Sequence, residues 1–176
     1  MDTFGKRLAQ GDHAAFAELY DAYADRIYHY LMVFLGSKED AEDALQETFI
    51  RLARKCQRLA KVENLSAYVF TIARNEALRL AGRRTHRKTL TITTQTQCLF
   101  EKAAAYNSLN EDYVEAATLA LNRLEPELRE IVELKHFADL TLREIADVTG
   151  YPQGTVATRY RTALEKMRMI LTKDFS

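Results

Sequence analysis

The sequence predicts an all-α protein made of two small helical domains joined by a flexible linker. Apolar residues recur at three- and four-residue steps along most of the chain, the period of amphipathic helices. Glycine and proline are scarce, six and two in 176 residues, which argues against a turn-rich β fold. One uncharged stretch, "TLTITTQTQCLF" at residues 89–100, breaks the helical period and marks the junction. Alanine, leucine, glutamate and arginine, all good helix formers, fill the rest.

The bulk properties describe an ordinary globular chain, 47% hydrophobic and 28% charged. Its longest apolar run, residues 30–35, is far too short to span a bilayer, and no secretory leader is read before it. No membrane insertion and a cytoplasmic location are therefore expected. Cys56 and Cys98 lack CxxC spacing and read as reduced structural residues. The formal net charge is zero, so any affinity for nucleic acid must come from charge segregated along the chain.

Residues 12–35 place Phe16, Leu19, Tyr20, Tyr23, Ile27, Leu31 and Phe34 on one helical face, ended by Gly36. Ser37, with Asp40 three residues on, suits the N-cap of the next helix. Its buried stripe is Ala41, Ala44, Leu45, Thr48, Leu52 and Cys56. A third helix starts near Asn64 or Ser66 and buries Val69, Ile72, Ala73, Ala77 and Leu80. It runs into the basic cluster "RRTHRK" at residues 83–88. Residues 89–110 are the expected linker; a short strand is the rival reading, since threonine and isoleucine suit strands. Beyond it, Tyr113, Val114, Ala117, Leu121 and Leu124 share a helical face, and Pro126 suits the first position of another helix carrying Leu128, Ile131 and Val132.

The most specific pattern lies at residues 141–171. Thr141 and Glu144 form a capping box, and Gly150 and Pro152 end that helix within a few turns. A second helix runs from about Gln153, with Val156, Tyr160, Ala163, Leu164, Met167 and Ile170 on its inner face. Ala146 permits close approach, Gly150 can take the left-handed turn, and Val156 plugs the angle between two steeply crossed helices. The outer face carries Gln153, Thr155, Thr158, Arg159, Arg161, Thr162 and Arg168, groups that bond bases and phosphates. This is a helix-turn-helix whose second helix is built to read a major groove.

A second basic site precedes the linker. Residues 74–88 hold Arg74, Arg79, Arg83, Arg84, Arg87 and Lys88 against the single acid Glu76. Tyr68, Thr71, Arg74 and Asn75 lie along the polar edge of the same helix, an aromatic for stacking with an amide and cations beside it. Upstream, "SKEDAEDALQETFIRLARK" is acidic. Glu39, Asp43, Gln46, Glu47, Ile50 and Arg54 project together, an apolar residue among carboxylates. Phosphates would be repelled there, so the face suits a protein partner carrying arginines. No catalytic constellation appears: the four histidines are scattered without metal spacing, and there is no glycine-rich phosphate loop. No enzyme, cofactor, metal or small-molecule substrate is expected.

Three segments, "DAEDALQETFIRL", "NLSAYVFTIARNEAL" and "LEPELREIVELKHFADLTLREIADVTGYPQGTVATRYRTALEKMR", closely resemble, in this order and spacing, the extracytoplasmic-function sigma factors of bacterial RNA polymerase. The resemblance covers nearly the whole chain apart from the linker. It implies a region-two-like domain at residues 1–88, the linker at 89–110, and a region-four-like domain at 111–176. It further implies that Asp40, Asp43, Gln46, Glu47 and Ile50 dock on the clamp helices of the polymerase β′ subunit. Asn64, Tyr68, Thr71, Arg74, Asn75, Arg79, Arg83 and Arg84 would recognise and open the minus-ten promoter element, with a base flipped out of the single strand. Gln153, Thr155, Thr158, Arg159, Arg161 and Thr162 would read the minus-thirty-five element as duplex, in a domain that also docks on the β flap.

Two departures from the family pattern bear on promoter choice. Tyr68 stands where the family usually has tryptophan, and Ala157 and Thr158 stand where a basic residue and serine are common. The second removes a long contact at the start of the recognition helix, so an unusual minus-thirty-five preference is expected. Family members are often held inactive by an anti-sigma factor, which makes one a candidate partner. Two rival readings stay open: a sigma-like adaptor that binds polymerase without starting transcription, and a plain helix-turn-helix repressor. A chain of zero net charge is also able to fold its two domains together and hide its DNA surfaces.

Overall fold

The computed structural model describes residues 3–59, 61–84 and 111–174, and every regular element among them is a helix. The N-terminal half holds α1 (Thr3–Ala9), α2 (His13–Leu35), α3 (Lys38–Arg54), α4 (Cys56–Leu59) and α5 (Leu65–Arg84). The C-terminal half holds α6 (Glu111–Asn122), α7 (Pro126–His136), α8 (Leu142–Thr149) and α9 (Gln153–Asp174). The expected linker, with Arg87, Lys88 and Cys98, lies outside the described residues.

Local chemistry sets the helix ends. The Asp12 carboxylate accepts from the Ala14 and Ala15 backbone N–H groups and receives Arg7 Nε at 2.7 Å, which ties α1 to the start of α2. That ion pair, strengthened by hydrogen bonding, holds the Asp12 carboxyl below its usual range. Gly36 takes the left-handed conformation (φ 61°) that stops α2, and the Ser37 hydroxyl caps α3 by accepting from Asp40 N–H. The Asn64 side-chain oxygen caps α5 by accepting from Ala67 N–H at 3.0 Å.

Helices α2, α3 and α5 pack pairwise and bury Leu19, Ile27, Tyr30, Leu31, Ala41, Ala44, Leu52, Phe70 and Ala73. Large aliphatic or aromatic side chains buried here contribute about 1.5–3 kcal/mol each, which outweighs any surface ion pair. The Thr48 hydroxyl, buried in the stripe, is satisfied by the Ala44 carbonyl at 2.6 Å. Tyr20, expected within the α2 core face, is 46% exposed: it touches Phe49 of α3 at the edge of an open groove and is not enclosed by it.

In the C-terminal half, Pro126 opens α7 and the Thr141–Glu144 capping box opens α8 with both reciprocal bonds formed. Gly150 is left-handed at φ 76°, and Val156 is fully buried in the angle between α8 and α9. Leu164, expected on the inner face of α9, is 42% exposed; Ala163 takes the buried place beside it. The two halves do not stand apart. Helix α5 packs against α8 and α2 against α7, and one apolar core runs through both halves.

Glycine geometry gives a direct test of the turn. Both Gly150 and Gly154 have open space around an added methyl group, but only Gly150 has positive φ. Gly150→Ala is therefore expected to cost about 1–2 kcal/mol, and Gly154→Ala, inside α9, to gain about 0.4–1 kcal/mol. Urea unfolding midpoints of the two variants, compared with the parent, check the opposite signs.

Candidate docking and nucleic-acid surfaces

The first surface is a groove of roughly 820 Å³ between α2 and α3, lined by Phe16, Tyr20, Tyr28, Phe49 and Ile50 with Asp25, Glu42, Asp43 and Gln46 at its rim. Its apolar floor is ordered by ring contacts. Tyr20 and Phe49 lie 4.6 Å apart and Phe16 meets Phe49 edge-on at 6.3 Å. Ile50 is 37% exposed at the lip. Of the polar residues expected to dock a partner, Asp43 and Gln46 line the groove, whereas Asp40 and Glu47 are half-buried outside its lining. Glu47 accepts from Arg51 at 3.0 Å and so braces α3. The aromatic floor escaped sequence reasoning because Phe16 and Tyr20 share their helical period with true core residues.

The second surface is the long helix α5. Asn75 and Arg83 are exposed, Arg79 is held by Glu76 at 2.7 Å, and Arg84 closes the helix. The polar edge expected to face solvent is otherwise covered, since Asn64, Tyr68, Thr71 and Arg74 are half-buried where α8 packs on α5. The Arg74 guanidinium forks onto Glu130 of α7, Nε to Oε1 at 2.6 Å and Nη2 to Oε2 at 3.1 Å. The hydrogen bond from Arg74 to Glu130 keeps this guanidinium more firmly protonated than usual. Thr71 spends its hydroxyl on the Ala67 carbonyl at 2.7 Å.

The Asn64 side chain lies beside Glu144 of α8. Burial works to raise the Glu144 carboxyl, but the bonds from the Thr141 backbone and hydroxyl, with Asn64 nearby, outweigh it and hold the group below its usual range. Arg26 of α2 completes the junction. It donates to the Ala138 carbonyl from Nε at 3.1 Å and from Nη2 at 2.5 Å, and to the Asp139 carbonyl at 3.2 Å. Its charge also lies over the Tyr23 and Phe70 rings, 5.5 and 5.4 Å from their centroids. Arg26, Glu130 and Glu144 carried no sequence signal for this, because nothing local says they meet.

The third surface is the N-terminal half of α9. Gln153, Thr158 and Arg161 are exposed, and Thr155 and Thr162 are half-buried beside them. Arg159, expected to face outward, is instead drawn against Tyr151, 4.2 Å from the ring centroid, with Nη2 on Glu127 at 2.9 Å. Among the described residues no group of three or more His, Cys, Asp and Glu side chains is placed to hold a metal ion, and no helix is long and apolar enough to cross a membrane.

The comparisons agree with this arrangement. The family described as Sigma-70 region 2 matches residues 19–87, and that described as Sigma-70, region 4 matches residues 120–169. The chain is 31% identical to the ECF RNA polymerase sigma factor RpoE of Cereibacter sphaeroides, over 89% of this chain and 86% of that one. It is 28% identical to SigW of Bacillus subtilis, covering 93% and 92% of the two chains. It is 30% identical to BldN of Streptomyces coelicolor, over 96% of this chain but 65% of that longer protein. In fold it is similar to CnrH, solved in complex with the cytosolic domain of CnrY (TM-score 0.71, 19% identity, 97% and 96% covered). It is also similar to RpoE solved with the anti-sigma factor NepR from Bartonella quintana (TM-score 0.68, 23% identity, 89% and 96% covered).

Charge buried beneath the second surface sets a pH dependence. Glu133, on the inner side of α7, is 2% exposed, and burial pushes its carboxyl up to about 7 although Arg129 Nε bonds it at 2.6 Å. A folded value above the unfolded one stabilises the fold at low pH and loses that contribution as pH rises through about 7. Between pH 5 and pH 8 the parent should therefore lose on the order of 2 kcal/mol more than Glu133→Gln, whose side chain has no proton to give up. Urea midpoints for both proteins across that range measure the difference.

Proposed function

The chain belongs to the extracytoplasmic-function sigma factors of bacterial RNA polymerase, and from that premise we propose how its surfaces divide the work. Such a factor performs no chemistry of its own; it binds core polymerase and directs it to start transcription at particular promoters. It would act in the bacterial cytoplasm, where polymerase and genome are.

Residues 1–88 carry core binding and minus-ten recognition, and residues 111–176 carry minus-thirty-five recognition. The groove between α2 and α3 receives the β′ clamp helices. An apolar floor excludes water, Ile50 and Tyr20 supply anchors, and the rim carboxylates Glu42 and Asp43 favour a partner carrying arginines or lysines. Helix α5 takes the unpaired minus-ten strand, with Tyr68 stacking on a base, Asn64 and Asn75 bonding base edges, Thr71 beside them, and Arg74, Arg79, Arg83 and Arg84 tracking phosphates. Unstacking costs a few kcal/mol, and stacking on an aromatic returns about 1–3 kcal/mol per base. Helix α9 enters the major groove of the minus-thirty-five duplex, with Gln153, Thr155, Thr158, Arg161 and Thr162 toward the bases and Arg159 held at the flank by Tyr151.

One observation carries this reading: a carboxylate-rimmed apolar groove and a helix-turn-helix with an open polar face occupy different helices of one chain. Neither a repressor nor a free-standing DNA reader needs the groove. The test adds the purified chain to core polymerase and measures promoter-dependent RNA synthesis. Binding without initiation would favour an adaptor, and operator binding without core a repressor.

Two variants locate the surfaces. Glu42→Lys with Asp43→Lys, both exposed at the groove, should weaken core binding about tenfold or more in a titration, while circular dichroism stays that of the parent. Arg161→Ala should cost about 1–3 kcal/mol at preferred duplexes and little at others. A loss equal on all sequences, with a shallower salt slope, would make Arg161 a phosphate contact instead.

A further inference from the structure

Two rows of cations run along α9, and they are treated differently. Arg161 and Arg168, about two turns apart, are exposed, and among the described residues no carboxylate bonds either. Arg159 and Lys166 repeat that spacing on another flank, and the start of α7 takes up both. Arg159 Nη2 bonds Glu127 at 2.9 Å, and Lys166 Nζ bonds Glu125. The Arg159 guanidinium also lies 4.2 Å from the centroid of the Tyr151 ring, and its Nη1 is covered with no partner. A carboxylate suits the first turn of a helix, so Glu127 has a local reason to stand in α7. Glu125 does not behave that way: it occupies the N-cap of α7 but makes no cap bond, its side chain being spent on Lys166.

Resting on the reading that α9 enters duplex DNA, we propose that Glu125 and Glu127 are specificity-determining residues, which take Arg159 and Lys166 out of play so that duplex binding rests on the base-reading face rather than on charge. Phosphates accept any cation, whatever the sequence beside them, and each one neutralised adds affinity at every site. Two carboxylates at the flank of α9 remove two such contacts and add repulsion of their own. Exposed ion pairs are weak, so this restraint is graded and locks nothing. The Tyr151 ring gives Arg159 a second hold that owes nothing to Glu127. Arg161 and Arg168 keep their charge for the duplex.

The test uses the full chain and two fluorescent duplexes: the one its holoenzyme selects from a random pool, and a shuffled copy. Anisotropy is followed from low to high salt. Glu125 and Glu127 are 59% and 62% exposed, so Glu125→Gln with Glu127→Gln leaves the core alone. This variant should bind the shuffled duplex about tenfold more tightly than the parent, with a log–log salt slope steeper by about 1–2. The selected duplex should gain no more than that. Adding Arg159→Gln and Lys166→Gln should abolish the gain. Glu165→Gln removes an exposed carboxylate from α9 itself and should gain far less than Glu127→Gln alone. An unchanged slope overturns the proposal, as does a gain that survives loss of both cations. So does an equal gain for Glu165→Gln, a gain confined to the selected duplex, or no binding by parent and variant even at low salt. If the parent directs promoter-dependent synthesis with core in any of those cases, only this inference falls. If the parent fails with core, the sigma reading falls and this one with it.

Discussion

Packing that draws a guanidinium or a carboxylate out of water must supply it with a partner, and this requirement decides how the helices sit. Breaking a buried pair by removing one member costs about 3–5 kcal/mol, several times the worth of an exposed pair. Glu76 shows the rule most plainly. It is 1% exposed in α5, yet Arg51 of α3 reaches one oxygen at 2.8 Å and Arg79 the other at 2.7 Å. Apolar burial brings α3 and α5 together, but that force is non-directional. The Arg51 Nε contact to Glu76, a directional link between α3 and α5, constrains their register, and with it the placement of the acidic groove relative to the basic helix.

The same rule produces the chain's segregation of charge. A net charge of zero would leave a uniformly mixed surface with little attraction for either a protein or a nucleic acid. Here the acids of α3 line one groove, and the cations of α5 lie on a different helix, with Arg51 and Glu76 neutralising each other between them. In the C-terminal half, α7 places Glu127, Glu130 and Glu133 at successive three-residue steps, and each holds an arginine: Arg159, Arg74 and Arg129. One acidic helix thus takes up cations from its own domain and from the other.

The helices were legible in the sequence wherever their causes were local. Gly36, Ser37, Pro126, the Thr141–Glu144 box and Gly150 all do in the structure what their residue types prescribe. So does Val156, whose burial follows from the turn it plugs. What the sequence did not carry was contact between distant segments. Arg74 and Glu130 are 56 residues apart, Arg26 and Ala138 are 112 apart, and nothing near either residue encodes the other. Helical period also fails at the edge of a face: Tyr20 and Leu164 share the apolar spacing of their neighbours but are only partly covered. The brief α1 was too short for a periodic signal; burial of Leu8 against its neighbours, with the Arg7–Asp12 pair beside it, holds it rather than its own propensity.

The two nucleic-acid surfaces differ in what the packing of the halves leaves open. Gln153, Thr158 and Arg161 of α9, proposed above to read duplex, are exposed with the two halves packed together. Asn64, Tyr68 and Arg74 of α5, proposed above to hold the unpaired strand, are half-buried in the same arrangement. A chain whose halves part only a fraction of the time binds the strand with an affinity reduced by that fraction, while duplex affinity is untouched. Unpaired DNA met at random would then be a poor ligand for the free chain. The groove between α2 and α3 is lined by no residue of the C-terminal half, so a partner seated there would not have to displace that half.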